Sequence, residues 1–352
     1  MQKTYLQTAF VGWIVLASAS LGWGQDVKAL ITEAAKLSDT AQTQEELTKV
    51  IELCTTSAHL ELAPPQVEYF NNLEAWARNK RGELYSVASL ESEDPAEIRK
   101  FEAAALTDYT LAVQKNPKHW QAVHNRGLSY AVLGETEKAL SDFDTAYQLN
   151  PKFDTALYNK AEMLYEGGKF SAALQAYQQV LKANPKDVGA MTGQAHCFYR
   201  LENYESAMIA YGQAIKLAPD NAMVLANRAD AYSDLGYWKE AILDYKQALT
   251  LEKDLPRAQQ GLAWILATCP DDKFRNPELA LRFAKAAVAQ TDFVDFRFYD
   301  TLAAAEAAMG QFDTAKQRVG EAIKAAPRTE KPFLQHRLAL YEKRQPYREP
   351  KR

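Results

Sequence analysis

The side chains that most often carry out chemistry in proteins form no catalytic pattern in this chain. None of the five histidines belongs to an HxxxH or HExxH pair, the spacing by which one helix presents two imidazoles to zinc. They are His59, His119, His124, His196 and His336. CxxC pairs, glycine-rich phosphate loops and GxSxG motifs are also missing from the sequence. We therefore predict no catalytic residue, no metal site and no cofactor.

Two smaller groups of chemically active side chains are interpreted structurally. Asp271 and Asp272 are adjacent carboxylates, but calcium takes six to eight oxygen ligands, so the pair is interpreted as a solvated turn. Cys54, Cys197 and Cys269 are far apart in the sequence, and each is predicted to be a buried thiol that packs as a small hydrophobic residue. Cys269 borders a loop, so its burial is the least secure of the three.

Most of the chain consists of repeats about 34 residues long. Four prolines lie at this period: Pro117, Pro151, Pro185 and Pro219. Two small positions recur with them, occupied in turn by Gly127, Ala161, Ala195 and Ala229, and by Ala139, Ala173, Ala207 and Ala241. Large side chains occupy two further positions, Tyr130, Leu164, Phe198 and Tyr232, and Phe143, Tyr177, Tyr211 and Tyr245. Such a period indicates stacked helix-turn-helix units, each of which buries its apolar face only against its neighbours.

The turn within a repeat is marked by a glycine at three of four positions. Gly134, Gly168 and Gly236 are predicted to end a first helix in the left-handed conformation, which glycine adopts at little cost. In the third repeat the equivalent residue is Glu202.

This order of small, small, aromatic and proline positions resembles the tetratricopeptide repeat (TPR) over four consecutive units without an insertion. The resemblance implies an all-α fold, a right-handed α-solenoid of stacked helix-turn-helix units with a C-terminal capping helix. The sequence departs from the family before the first small position, where the usual leucine is replaced. The replacements are Arg126, Lys160, Gln194 and Arg228.

The repeat register divides the chain into five segments. Residues 1–25 are a signal peptide or N-terminal anchor, 26–117 irregular TPR-like helical units, 118–253 four regular repeats, 254–328 two further repeats, and 329–352 a capping helix with a charged tail. Residues 269–277 form a loop five residues longer than its equivalents, and the turn after Val87 is predicted to be eleven residues longer. The last third also resembles segments of exported bacterial repeat proteins of undefined role, which implies no activity.

In the TPR family the first helix of each repeat lines a concave groove, so the resemblance implies a set of groove residues. They are Trp76, Asn79, Lys80, His124, Asn125, Tyr158, Asn159, Tyr165, His196, Tyr199, Arg200 and Asn227. Asn125, Asn159 and Asn227 occupy the same position of their repeats. A side-chain amide both donates and accepts, as binding to a peptide backbone requires. The alternative is that these asparagines hydrogen-bond within or between repeats.

Two classes of partner are excluded by the sequence. Family members that grip the C-terminal carboxylate of chaperones use two lysines, an arginine and two asparagines. Here the corresponding residues are His124, Leu128, Asn159, Gly189 and Gly193, of which only Asn159 matches. A nucleic-acid partner is also not predicted, because the net charge is −4 and Lys and Arg are interspersed with Asp and Glu.

The first 25 residues have the composition of an export signal. Lys3 precedes an apolar stretch from Ala9 to Ala17, followed by small residues. Cleavage is possible at Ala17-Ser18-Ala19 or at Gly22-Trp23-Gly24, and an uncleaved anchor is the alternative. The chain is therefore predicted to be exported, most simply to a bacterial periplasm, or tethered to the membrane, which it would contact only if this segment stays uncleaved.

Together these observations predict a non-catalytic protein-interaction scaffold that binds an unknown peptide or protein segment in its concave groove. Two alternatives stay open. One is an enzyme with a site hidden in the irregular N-terminal repeats or in the loop after Cys269, although neither stretch has room for a catalytic domain. The other is a self-assembling structural array.

Overall fold

The computed structural model describes residues 25–290 and 295–350. The predicted signal or anchor segment and both of its candidate cleavage sites lie outside these ranges. All regular secondary structure in the described residues is helical. The chain divides into two compact units after Pro185, within the run of four regular repeats, and each unit is described by itself.

The N-terminal unit contains eight helices in four sequential pairs. They are α1 (Gln25–Thr40), α2 (Gln44–Ser57), α3 (Pro64–Glu91), α4 (Pro95–Lys115), α5 (Trp120–Val132), α6 (Thr136–Leu149), α7 (Thr155–Glu166) and α8 (Phe170–Ala183). Each helix packs mainly on helices that adjoin it in the sequence. The predicted irregular pair near the N-terminus is present as α1 and α2, and Val50, Ile51 and Cys54 on α2 are buried.

The C-terminal unit contains nine helices. They are α9 (Val188–Arg200), α10 (Tyr204–Leu217), α11 (Ala222–Asp234), α12 (Trp238–Leu251), α13 (Pro256–Thr268), α14 (Pro277–Ala289), α15 (Phe296–Ala308), α16 (Phe312–Ala325) and α17 (Lys331–Glu342). A 3₁₀ turn, Asp272–Phe274, lies between α13 and α14. Helix α17 covers α16 through Leu334, Leu338 and Tyr341, as predicted for a capping helix. Both units thus show the predicted all-α arrangement of stacked helical pairs.

The small repeat positions lie where two helices of a repeat come closest. The alanines at both positions are completely buried. At Gly127 a Cβ atom would lie 2.9 Å from Phe143 Cε1, and at Gly82 it would lie 2.6 Å from Tyr109 Cε1. Real Cβ atoms do not approach so closely, so the absent side chain is what admits the ring of the partner helix. The predicted register of small and aromatic residues is confirmed.

The turn glycines adopt the left-handed conformation predicted for them. Gly134, Gly168 and Gly236 have φ angles of 79°, 72° and 80°. Glu202, the exception in the sequence, adopts the same conformation with φ of 60°. The turn therefore keeps its geometry without glycine, at a backbone cost of about 1 kcal/mol.

The prediction of a long turn after Val87 is wrong. Helix α3 continues to Glu91, and only residues 92–94 separate it from α4, which begins at Pro95. The additional residues lengthen the two helices to 28 and 21 residues. The Asp94 side chain accepts a hydrogen bond from Ala96 N at 2.8 Å, and proline is favoured in the first turn of a helix. Asp94 and Pro95 therefore begin α4 early, and the inserted residues become part of the helices instead of a turn.

The two arginines that replace the family leucine form ion pairs between the two helices of a repeat. Arg126 binds Asp142 through two hydrogen bonds of 2.7 Å, and Arg228 binds Asp244 at 2.7 and 2.9 Å. Lys160 instead binds Asp144 on the second helix of the preceding repeat, at 2.6 and 2.8 Å. Both aspartates of the arginine pairs are buried. The departure from the family pattern therefore replaces an apolar contact by a charged one at the same interface.

The loop of residues 269–277 is ordered by its own polar groups. Arg275 Nη1 donates to the carbonyl oxygens of Cys269 and Pro270 at 2.7 and 3.2 Å. Asn276 N donates to Leu266 O at 2.9 Å, and its side chain caps α14. Cys54, Cys197 and Cys269 are all buried, so the prediction of three buried thiols is confirmed.

The C-terminal tail folds back on α13. Glu349 N donates to Thr268 O at 2.8 Å, and Arg348 Nη1 donates to Ala267 O at the same distance. The tail thus satisfies carbonyls that a helix end leaves without a partner, and places a cation where the helix dipole favours one.

Two further properties concern the described residues alone. None of the helices in residues 25–290 and 295–350 is long and apolar enough to cross a membrane. Within the same ranges, no three His, Cys, Asp or Glu side chains are grouped as metal ligands.

Candidate functional site

The predicted groove residues of the N-terminal unit lie on α3, α5 and α7, the first helices of three successive pairs. Four of them form a continuous row of hydrogen bonds. Asn79 Nδ2 donates to Glu83 Oε1 at 2.8 Å, and Asn125 Nδ2 donates to Asn79 Oδ1 at 3.1 Å. Asn159 Nδ2 lies 2.9 Å from His124 Nε2, and His124 Nδ1 lies 3.4 Å from Asn125 Oδ1. We call these five residues the amide row.

The histidine of the amide row is neutral and joins two asparagines by hydrogen bonds. Burial lowers the pKa of His124, so its ring is uncharged at neutral pH. With the proton on Nδ1 it donates to Asn125 and accepts the amide hydrogen of Asn159 on Nε2. Only 7% of His124 and 2% of Asn79 are exposed. For Asn125 and Asn159 the structure therefore shows the alternative left open by the sequence, hydrogen bonding between repeats, and their contact with a peptide stays a prediction.

The other predicted residues of the N-terminal unit flank the amide row. Trp76 is half-buried against the N-terminal core, and Lys80 forms an ion pair with Glu83. The Tyr158 ring lies 5.8 Å from that of Tyr177, edge to face, and Tyr165 lies 5.3 Å from Phe170.

The predicted residues of the C-terminal unit lie on α9 and α11. The ring of His196 lies 5.7 Å from that of Tyr211. Burial, together with the positive charge of Arg257, lowers the pKa of His196 to about 4. Tyr199 Oη donates to Asp234 at 3.1 Å. Arg200 is exposed.

Asn227 occupies the repeat position of Asn125 and Asn159, but its surroundings differ from theirs. It is buried, and its Oδ1 has no hydrogen-bond partner among the described residues. The same position one repeat earlier and one repeat later holds Gly193 and Gly261, which have no side chain to offer. The row of the N-terminal unit therefore has no counterpart here, although the asparagine recurs in the sequence.

A cleft of about 810 Å³ lies on the first helices of the C-terminal unit. Helices α11, α13 and α15 contribute most of its lining, and Tyr245 of α12, the segment before α17 and α17 itself contribute the rest. The lining residues are Asp230, Ser233, Asp234, Tyr245, Arg257, Gln260, Gly261, Trp264, Phe296, Arg297, Phe298, Asp300, Thr301, Pro327, Glu330 and Arg337. None of the twelve predicted groove residues is among them.

The charged groups of the cleft are held in pairs. Arg257 binds Asp230 through Nη2 at 2.6 Å and Nε at 2.7 Å, and Tyr245 Oη also donates to Asp230. Arg337 binds Asp300 at 2.8 Å. Burial raises the pKa of Asp300 to about 6, although Arg337 acts in the opposite direction. Gln260 Nε2 donates to Thr301 Oγ1 at 2.7 Å and so links α13 to α15.

One wall of the cleft is aromatic and cationic. The Arg337 guanidinium lies 5.4 Å from the ring centre of Trp264 and 5.2 Å from that of Tyr347 in the tail. On the tail side, Trp264 Nε1 donates to Glu349 Oε1 at 3.2 Å. Capping helix and tail therefore fix the position of Trp264, and a fixed aromatic wall loses little conformational entropy when a ligand binds it.

Comparison with protein families identifies the repeat. A family model described as tetratricopeptide repeat matches residues 100–152 and 158–222, and a second model with the same description matches residues 224–259. The chain is a tetratricopeptide repeat protein. No curated protein sequence matches the chain.

Solved structures of similar fold include two with TM-scores above 0.5. The crystal structure of yeast Tom70 gives a TM-score of 0.54 at 16% identity, covering 92% of this chain and 66% of Tom70. Pseudomonas aeruginosa PilF gives 0.51 at 18% identity, covering 62% of this chain and 96% of PilF. At these identities the likeness concerns the TPR fold.

The TPR register explains why part of the cleft was missed. Gln260 occupies the repeat position of His124 and Tyr158, and Trp264 occupies that of Leu128 and His196. The register, when it is extended by one repeat beyond residue 253, predicts both Gln260 and Trp264 as groove residues. Arg337 and Glu330 had no such signal, because they belong to the capping helix and the segment before it.

Proposed function

We propose that this TPR protein is a non-catalytic interaction scaffold that binds an extended peptide or protein segment in the cleft of its C-terminal unit. One observation carries the proposal: three successive first helices, α11, α13 and α15, line a single cavity of about 810 Å³. The concave surfaces of repeat proteins are the surfaces they use for binding.

The chemistry of the cleft suits a peptide. Trp264 and Phe296 offer apolar surface for side chains, and Gln260 has a carboxamide that both donates and accepts. Arg257 is exposed and keeps guanidinium N–H groups beyond those bound to Asp230. Asp230 and Asp300 are each engaged by an arginine, which supports a binding rather than an acid–base role.

The binding test compares variants within the cleft and outside it. Random peptides displayed on phage are selected on the purified chain, and the affinity of the enriched peptides is measured by fluorescence anisotropy. Gln260→Ala should weaken binding about fivefold through the loss of a hydrogen bond. Gln247→Ala, on the exposed surface of α12, is the matched control and should leave the affinity unchanged.

Trp264→Ala should weaken peptide binding at least tenfold, as is typical of an aromatic residue at the centre of an interface. Trp264→Phe keeps the wall and should recover part of the affinity, which separates a lost contact from a lost fold. Peptides that bind the Trp264 and Gln260 variants normally but not the Asn125→Ala/Asn159→Ala variant would place the site in the N-terminal unit and contradict the proposal.

The absence of catalysis is part of the proposal and has its own test. Purified chain assayed against peptidase, glycosidase and esterase substrates should show no turnover. Activity that is lost on substitution of an acidic residue of the cleft, such as Asp234→Asn, would favour an enzyme instead.

We also propose that the protein functions outside the cytoplasm. The support is the sequence of residues 1–25, with Lys3 before an apolar stretch and small residues after it. Fractionation of the native cells followed by N-terminal sequencing tests this. A mature N-terminus near Gln25 in the soluble exported fraction is expected, whereas an intact N-terminus in the cytosol would contradict it.

A further inference from the structure

A second groove of the C-terminal unit lies on its second helices and shares no lining residue with the cleft. It has a volume of about 360 Å³. Helix α12 lines one side, and the loop between α13 and α14 lines the other. Its lining residues are Lys239, Ile242, Leu243, Lys246, Leu266, Lys273, Phe274, Arg275, Asn276 and Leu279. We call it the insertion groove.

The groove exists because of the five-residue insertion in this repeat. Four of its lining residues, from Lys273 to Asn276, belong to the inserted loop. Phe274 packs against the apolar core of the unit, and Arg275 and Asn276 fix the loop by hydrogen bonds to Cys269, Pro270 and Leu266. The groove wall is therefore ordered in the absence of a ligand, and insertions in repeat proteins often lie on a binding face.

The lining combines exposed apolar surface with positive charge. Leu243 is 58% exposed. Lys239 and Lys246 lie seven residues apart on α12, on the same face as Ile242 and Leu243. Neither lysine forms an ion pair with a described residue, whereas Lys273 is paired with Asp271 at 2.7 Å. Lys273 and Arg275 bring the lining cations to four, and no lining residue is acidic.

We propose that the insertion groove binds an acidic peptide segment, in which a large apolar side chain sits on Leu243 and flanking carboxylates pair with Lys239 and Lys246. A cavity of 360 Å³ holds one or two large side chains, whereas a lipid surface requires no cavity. Exposed carboxylates at Glu240, Asp272 and Glu278 adjoin the lining residues and would repel an extended anionic surface. Local charge complementarity therefore favours a peptide over a membrane, and this site does not depend on the cleft.

The probe is a set of fluorescein-labelled five-residue peptides with a central Leu, Ile, Phe or Trp. The central residue is flanked on both sides by two Glu, two Gln or two Lys residues, and binding to the full chain is measured by anisotropy. The Glu-flanked set should bind, and binding should weaken as salt rises from 0.05 to 0.5 M because the paired groups are close to solvent. The Gln and Lys sets should bind at least tenfold more weakly.

Variants locate the binding. Lys239→Glu with Lys246→Glu should reduce the affinity for the Glu-flanked set at least tenfold, and Leu243→Asp should do the same. Lys216→Glu with Lys253→Glu is the matched control, because it makes the same change of net charge at exposed lysines outside the groove. Circular dichroism of each variant shows whether the helices are retained.

Three results would overturn the proposal. The Glu and Gln sets could bind equally, or the Lys239/Lys246 variant could bind the Glu set as tightly as the control variant. Alternatively, vesicles containing 30% phosphatidylserine could retain the chain through Lys239 and Lys246 while the acidic peptides do not bind, which would identify the surface as a lipid-binding one.

Discussion

Single residues decide how the two helices of a repeat are joined in this protein. Arg228 and Asp244 replace an apolar contact by an ion pair whose side chains are only 22% and 9% exposed. Removal of the guanidinium leaves a buried carboxylate without a partner, and that loss is larger than the net value of the pair. The sequence shows that Arg228 replaces the family leucine, but only the structure shows that Asp244 lies opposite it and forms a salt bridge.

We predict that Arg228→Ala lowers the free energy of unfolding by about 2–3 kcal/mol. A double-mutant cycle with Asp244→Ala, followed by urea denaturation, should show the two changes to be non-additive, because the second removes the orphaned charge. Lys324→Ala provides the control. Its pair with Glu321 is exposed on both sides, so its loss should change stability by less than about 0.5 kcal/mol. Additive effects at residues 228 and 244 would contradict the coupling.

Asp300 gives the cleft a pH-dependent stability. Burial raises its pKa to about 6 in the folded chain, above the ordinary value of 3.8. The folded state therefore binds more protons than the unfolded state between these two values. Stability must then fall as the pH rises from about 4 to about 6, by up to about 3 kcal/mol, and change little with this group above that range.

The second prediction compares the native chain with Asp300→Asn, which cannot ionise and keeps an acceptor for Arg337. Urea midpoints are measured at pH 4, 5, 6 and 7. The native chain should lose stability relative to the variant as the pH rises through this window, whereas other carboxylates affect both proteins alike. A constant difference between the two curves would show that Asp300 does not titrate near pH 6.

At the scale of the helical pair, close approach of two helices depends on residues without a large side chain. Ala207 on α10 is completely buried. We predict that Ala207→Arg costs more than about 3 kcal/mol, because an arginine there is both too large and without a counter-ion. Gln213→Arg, at an exposed position of the same helix, should be neutral within about 0.5 kcal/mol.

Thermal unfolding followed by circular dichroism tests the Ala207 prediction. Because each repeat is stabilised by its neighbours, Ala207→Arg should also increase hydrogen exchange in α9 and α11. Unchanged melting would mean that residue 207 does not lie at a helix contact.

The repeat register predicts positions correctly where packing within one helical pair decides them, and fails where other parts of the chain do. A 34-residue register places Ala207, Tyr211 and Gly236 correctly, because small, large and turn residues are fixed by close packing within one repeat. It does not distinguish the surroundings of Asn227 from those of Asn159, since these depend on neighbouring repeats that carry glycine in one case and a hydrogen-bonding residue in the other. The prediction of a long turn after Val87 is wrong for another reason, because inserted residues can lengthen the two helices as well as the turn between them.

At the scale of the whole molecule, the longest-range contacts of the C-terminal unit join the tail to α13. Arg348 and Glu349 reach Ala267 and Thr268 across more than 80 residues of sequence, and Glu349 accepts from the indole of Trp264. The register of the repeats contains no information on this contact, because the tail is not a repeat. It nevertheless fixes one wall of the cleft.

Deletion of residues 345–352 is therefore predicted to loosen α13 and the cleft together. Loss of the two hydrogen bonds to the helix end and of the ring contacts with Tyr347 should lower the stability of the C-terminal unit by about 2–4 kcal/mol. Hydrogen exchange should rise at the C-terminal end of α13, and tryptophan fluorescence should shift to the red as Trp264 becomes more exposed. Arg348→Ala should give about a third of the loss of stability. If α13 is protected equally with and without the tail, the helix end is satisfied by other groups and the wall of the cleft stands without it.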